Sequence, residues 1–219
     1  MPLIGVGTPV TRVGAIQNGR SIARFTRVTA NPARFHASTD GSDAISQLCQ
    51  GDDKPYTVVT VYIPRDTQTG YVWSWSWSWS DTVNNTDAQQ IAFIRRSTNW
   101  SIRRQAVTAT TNDVTWGSGH PVGAARIMAV RHTGATISVW DYSLTKAVDG
   151  AAQDAPPFNS ELIFRLGATE VQHATDPMIG AVAGAMDLCE IIIEGESKSD
   201  ADIQQAIRDL AAKWGIALA

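Results

Sequence analysis

Four of the chain's eight tryptophans fall in one stretch, Tyr71 to Asp81, which reads YVWSWSWSWSD. Successive side chains of an extended strand leave opposite faces, so strict alternation predicts a strand with Tyr71, Trp73, Trp75, Trp77 and Trp79 on one face and serines on the other. Turned inward, the aromatic face fills the layer between two sheets while the serines meet water, the ordinary sandwich arrangement. Its bulk then demands small residues opposite, because each aromatic buries roughly 150–250 Å². Turned outward, it is an apolar stripe of a kind monomers seldom expose. It would then serve as a contact for another chain or as a platform on which sugar rings stack. The sequence leaves all three uses open. A slip by two residues would exchange Trp for Trp and Ser for Ser, so neighbouring strands or the flanking loops must fix the register.

Directly after this strand comes DTVNNTD, in which Asp81, Asn84, Asn85 and Asp87 supply carboxylate and amide oxygens suited to a hard cation. Calcium at Asp81 and Asp87 is therefore a candidate, although the spacing is not that of an EF-hand and turns favour the same residues. Other site chemistries find little support. His36, His120, His132 and His173 have no second ligand at close spacing, and Cys49 and Cys189 match neither metal nor redox spacing. Two buried thiols are expected. G-x-S-x-G, H-E-x-x-H, phosphate-loop and dinucleotide fingerprints are all missing.

Charge is distributed unevenly. The formal net charge of −3 argues against nucleic acid as a partner, because affinity for phosphate backbones comes from clustered Lys and Arg. Residues 1–35 nevertheless hold five arginines and no Asp or Glu. Arg12, Arg20, Arg24 and Arg27 are candidate contacts of an N-terminal arm for an acidic partner; the plainer reading is solvated arginines on an irregular lead-in. No run approaches the ~18 apolar residues of a membrane span. The N-terminus has neither the charged nor the continuous apolar region of a signal peptide. The expectation is a soluble protein, made without Sec export and without a membrane partner.

The elements that must position these groups are mostly strands. With 219 residues, 43% of them hydrophobic, the chain can bury a real core, and one domain is the default. Besides the Trp/Ser segment, strands are predicted over residues 22–29, 57–63, 90–96, 100–108, 125–131, 135–142, 161–167 and 188–194. Short strands separated by Gly, Pro, Asn and Asp indicate an antiparallel sandwich or barrel. His132 to Gly134 joins two of them as a hairpin, and residues 147–159 read as a surface loop. The one good helix covers 199–214. Ser199 caps it, Asp202 sits at its third position, Ile203, Ala206, Ile207, Leu210 and Trp214 recur on one face, and Gly215 ends it.

The segment MDLCEIIIEGESKSDADIQQAIRDLAAKWGI, Met186 to Ile216, resembles the end of laminin G-like domains of the concanavalin A-like lectin/glucanase superfamily, as found in bacterial and phage proteins. There, a strand with a Glu near its start leads through a short loop to S-D-x-E-I and a helix closing on Trp-Gly or Tyr-Gly. Glu190, Ser199, Asp200, Ile203, Lys213, Trp214, Gly215 and Ile216 stand in the corresponding places, with Asp202 where the family usually has Glu. YTVVTVYIPR resembles the family's early strand and ARIMAVRHTGATISVWDYSL its central hairpin, so the resemblance spans roughly residues 50 to 216. It implies an all-β, jelly-roll-like sandwich of two antiparallel sheets with one C-terminal helix. The expected division is an arm or lead-in strand over residues 1–35 and the sandwich over 36–219.

Glucanases of that superfamily carry E-x-D-x-E on one strand, and the nearest match here is EIIIE, Glu190 to Glu194, with Ile192 in place of the central Asp. Glu190 is expected to be structural, hydrogen-bonded near the helix, with Glu194 and Glu196 solvated; catalysis is not expected. Because the fold hosts lectins, glycosidases and architectural modules alike, two functions are weighed. The preferred one is a non-enzymatic phage virion accessory: a capsid decoration, head fibre or tail-associated protein. It would contact other virion proteins and copies of itself, and stand on the virion surface after synthesis in the bacterial cytoplasm. The alternative is a carbohydrate-binding adhesin reading host surface polysaccharide through the Trp strand or the Asp81 to Asp87 loop.

Overall fold

A computed structural model describes residues 4–6, 10–27, 34–37, 42–49, 54–77, 89–96, 98–105, 111–117, 121–153, 162–167 and 185–219. Within them, two seven-stranded antiparallel sheets form a sandwich. The first runs from edge to edge as β1 (Ile4–Val6), β4 (Arg34–His36), β13 (Ile163–Leu166), β6 (Gly70–Trp77), β7 (Gln89–Arg95), β8 (Trp100–Gln105) and β9 (Thr111–Trp116). The second runs β12 (Lys146–Ala152), β11 (Thr136–Asp141), β10 (Arg126–His132), β5 (Tyr56–Pro64), β14 (Met186–Glu194), β3 (Arg20–Phe25) and β2 (Thr11–Gln17). Strands from residues 1–35 therefore take places in both sheets.

The Trp/Ser strand is β6, and its aromatic face turns inward. Trp73 and Trp75 have no exposed surface, which removes both from any ligand or partner surface. Their rings meet edge to face at 5.5 Å, and Trp75 lies 4.8 Å from Phe164 on β13. The layer opposite is not made of small residues alone: Tyr56 of β5 lies 5.7 Å from Trp75, and Val58 and Tyr62 of the same strand are buried in the same core, so the bulk is accommodated by aromatic packing as well as by small side chains. Each indole N–H is satisfied: Trp73 Nε1 donates to Thr60 Oγ1 at 3.1 Å, and Trp75 Nε1 to the Ile45 carbonyl at 2.8 Å. Ile45 belongs to a one-turn helix, α1 (Ala44–Gln47), capped by the Asp43 carboxylate. Register is pinned from both sides, by Phe164 opposite Trp75 on β13 and Ile91 opposite it on β7.

The serines of β6 do not meet water. Ser74 and Ser76 are buried, and Arg165 Nη1 donates to the carbonyl and hydroxyl of Ser76 at 2.6 and 2.7 Å. On this outer face Arg165, Ser74, Ala92, Arg103 and Asp113 lie in register across five strands. Small side chains in the middle of that row leave room for the long arginines flanking them.

The second sheet is covered on its outer face by α2 (Asp200–Trp214). Ser199 accepts from the Asp202 amide at 3.2 Å and donates to its carboxylate at 2.6 Å, and Gly215 ends the helix in the left-handed conformation at φ 63°. Ile203, Ile207, Leu210, Ala211 and Trp214 pack on Ile22, Val59, Val61, Ile127, Ala129 and Trp140. With a core on one side and a helix on the other, β5 is buried at every position, which explains its run of apolar residues on both faces. The expected loop over 147–159 is corrected at its start: Lys146–Ala152 is strand β12, an edge strand of mostly half-exposed and exposed residues. KAVDGAA lacks the β-branched bulk of a buried strand, and its order comes from backbone pairing with β11.

Candidate functional site

Among the described residues β2 is an edge strand of the second sheet, and it forms with β3 a hairpin whose turn is Asn18-Gly19. Both residues have positive φ, 48° and 70°, the requirement of the tight turn that Asn-Gly favours. The hairpin tip rests on the end of α2, where the last carbonyls have no partner within the helix. Asn18 Nδ2 and Arg20 Nε donate to the Lys213 carbonyl at 3.0 and 3.1 Å, and Gln17 Nε2 donates to that of Trp214 at 2.7 Å. Residues nearly 200 positions apart in the chain are joined by side-chain caps.

Beside this junction opens a groove of about 480 Å³, bordered by Arg12, Arg20, Ser21, Glu190, Lys213 and Trp214. Glu190 reaches it because of an irregularity in β14. The register against β5 shifts between Leu188 and Glu190, so Cys189 is an extra residue and Glu190 turns outward to the helix. There it accepts from Lys213 Nζ and Trp214 Nε1, both at 2.7 Å. Partial burial pushes its carboxyl upward, but these two hydrogen bonds and the charges of Lys213 and Arg20 outweigh that and hold it below the usual glutamate value. Lys213 and Glu190 thus neutralise one another. Arg12 and Arg20 remain: Arg12 Nη2 donates to Ser21 Oγ at 3.1 Å, Arg20 lies 5.9 Å from the Trp214 ring, and neither has an ion pair among the described residues. The groove is cationic on a chain of net negative charge.

The four arginines singled out from the sequence therefore separate. Arg24 is a structural group: its Nε and Nη2 donate to the two oxygens of fully buried Asp187 at 2.7 and 2.9 Å. Arg27 donates to Asp66 at 2.9 Å and to the Thr69 carbonyl at 2.8 Å, and Arg95 shares the same carboxylate. Burial pushes the Asp66 carboxyl upward, and the hydrogen bonds from Arg27, Arg95 and the Gln68 amide bring it below its usual value. Arg24 and Arg27 are thereby removed from the candidate contacts; Arg12 and Arg20 stay. Trp77 belongs to β6 by its backbone, whereas Trp79, Asp81, Asn84, Asn85 and Asp87, with the calcium reading they carry, lie outside the described residues. Among the described residues no three His, Cys, Asp or Glu side chains converge on a metal position, and no helix is long and apolar enough to cross a membrane. Glu194 and Glu196 pair with Lys198.

Sequence reasoning missed Gln17, Asn18 and Ser21 as parts of a site. The Asn-Gly dipeptide at 18–19 was the available signal, since it marks a hairpin wherever extended segments flank it. The hydrogen bond expected of Glu190 near the helix is made, to Lys213 and Trp214.

Fold and groove together define an antiparallel two-sheet β-sandwich with an open cationic surface at one sheet edge. No protein-family model matches the chain, and no curated protein matches it in sequence. Solved structures do match in fold. The receptor-binding domain of botulinum neurotoxin C/D mosaic serotype superposes with a TM-score of 0.64 at 6% identity, covering 98% of this chain and 50% of that one. The carbohydrate-binding module CBM40 of the Ruminococcus gnavus IT-sialidase, bound to α2,3-sialyllactose, gives 0.59 at 10% identity over 84% of this chain and 96% of its own. Tailspike protein 2 from the Escherichia coli O157:H7 bacteriophage CAB120 gives 0.60 at 13% identity, covering 95% of this chain and 27% of the tailspike. The chain thus spans about half the length of the toxin domain.

Proposed function

We propose that this chain is a non-enzymatic glycan-binding module borne on the surface of a phage particle, where it contacts other virion proteins and reads host surface polysaccharide. The observation that carries this reading is the groove: two guanidiniums, unpaired among the described residues, held at an open surface by a hairpin and a helix end. The shared architecture of a toxin receptor-binding domain, a carbohydrate-binding module and a phage tailspike supports recognition as its use. The strand-to-helix segment from Met186 to Ile216 supports placing it with the laminin G-like, concanavalin A-like sandwiches. Glu190 and Glu194, the only carboxylates of the EIIIE segment, are engaged by Lys213, Trp214 and Lys198, which supports a non-catalytic role for both. Made in the bacterial cytoplasm, the protein would join the particle during assembly.

The test is an array of bacterial surface polysaccharides probed with the labelled protein. Saturable binding to at least one is expected, and silence across the array would sink the glycan reading. A purely architectural virion role is favoured by one observation, the edge of β2, unpaired on one side among the described residues, where Ile16 is 42% exposed. Sedimentation of the purified protein as a concentration-dependent oligomer, without glycan binding, would point there.

A further inference from the structure

Resting on the glycan-binding reading, we propose that the groove between the Asn18-Gly19 hairpin and the end of α2 takes a carboxylate-bearing sugar, a uronic or ulosonic acid unit of an acidic polysaccharide. Three observations lead to this ligand class. The first is charge. Lys213 and Glu190 satisfy each other at 2.7 Å, so the groove's remaining charge is that of Arg12 and Arg20. A chain with an excess of Asp and Glu over Lys and Arg has placed two arginines together beside an open groove with no carboxylate paired to either among the described residues.

The second is the direction of the guanidiniums. Arg20 uses Nε for the Lys213 carbonyl, and Arg12 uses Nη2 for the Ser21 hydroxyl. Both heads are oriented by groups of the protein, and Nη1 of each has no partner among the described residues. Oriented guanidinium N–H groups match the two oxygens of a carboxylate better than the hydroxyls of a neutral sugar, and their prior ordering lowers the cost of binding. The third is what the groove lacks. Trp214 is buried and its N–H is committed to Glu190, and Trp73 and Trp75 are in the core. None of these rings is available for stacking on an uncharged sugar, so charge is left to supply the recognition.

The experiment is calorimetric titration of the full chain with polygalacturonate, polysialic acid and hyaluronate, beside methyl-esterified polygalacturonate, neutral dextran, and inorganic sulfate as competitor. At least one acidic polymer should bind, at least tenfold more tightly than the esterified or neutral ones, and binding should weaken as salt rises because exposed charges are screened. Arg12→Ala and Arg20→Ala should each weaken it about tenfold with unfolding midpoints close to wild type, while Arg208→Ala, on the exposed side of α2, should leave it unchanged. Equal binding of acid and ester, binding of neutral polymers alone, or wild-type affinity in both groove variants would overturn the inference while leaving glycan binding in place. Displacement by sulfate at charge-equivalent concentration would reduce the groove to a general anion site and overturn sugar recognition there. If no polysaccharide binds, this inference and the glycan reading fall together.

Discussion

Two arginine-bearing surfaces of this molecule are made of similar residues and end in opposite states. On the outer face of the first sheet, Arg103 and Arg96 both bind Asp113, the residue opposite Arg103 on β9, and Arg165 is buried against Ser76. At the edge of the second sheet, Arg12 and Arg20 face a groove whose one carboxylate among the described residues already belongs to Lys213 and Trp214. A single strand repeats the contrast: on β3, Arg24 clasps a buried carboxylate, and Arg20, four residues earlier, has none among the described residues. An arginine's role follows from whether the neighbouring strand or helix places an unengaged carboxylate within its reach, and the residue type is silent on that.

Both surfaces depend on the core. Trp75→Ala should cost about 3–5 kcal/mol, the range for truncating a buried aromatic, measured as a fall in the denaturant midpoint; a loss below 1 kcal/mol would contradict the burial of β6. Next in size is the β3 pair. Arg24→Ala strands the buried Asp187 carboxylate, with Arg65 only 3.7 Å away as partial compensation, and should cost about 3 kcal/mol. Arg20→Ala should cost less than about 1 kcal/mol, in line with an exposed side chain donating one hydrogen bond. Equal losses from the two would erase the distinction between structural and available arginines. Gly19→Ala forces a side chain into φ 70°, and about 1 kcal/mol of stability should go.

Smaller effects sharpen the groove itself. The Glu190 carboxyl titrates below its unfolded value, so its contribution to stability is present above the unfolded glutamate range and is lost as pH falls through the folded value. Glu190→Gln should therefore be destabilising near pH 6, with the gap narrowing as pH falls below the usual glutamate range in urea titrations; a gap that stays constant on acidification would show that the charge is not what matters. Cys189 borders the groove, yet burial, and then the charges of Asp187 and Glu190, push its thiol up to about 12. Iodoacetamide at pH 8 should label it far more slowly than a free thiol, and labelling at the rate of free cysteine would mean that the groove is looser than its geometry indicates.

Much of the architecture was legible in the sequence because its signals are local. Alternation in the Trp/Ser segment, the apolar run of β5 and the Ser199 to Gly215 caps depend on residues a few positions apart, and each element formed where its pattern lies. The edge strands β1, β2, β9 and β12 were missed because they carry too short or too weak an alternation to stand out; a paired neighbour supplies their order. The buried serines were misread for a related reason. Alternation separates two faces of a strand and does not say what lies over either.

The extended and helical segments are encoded locally, since backbone sterics, side-chain period and capping act within a turn or a strand. Tertiary structure decided which face of β6 is core and which arginines are committed. Those outcomes turn on partners remote in the chain: Arg24 meets Asp187 across 163 positions, and Gln17 caps Trp214 across 197. A charge or an indole is assigned its role by the group that folding brings against it, because burial and pairing energies depend on distance in space and not on separation along the chain.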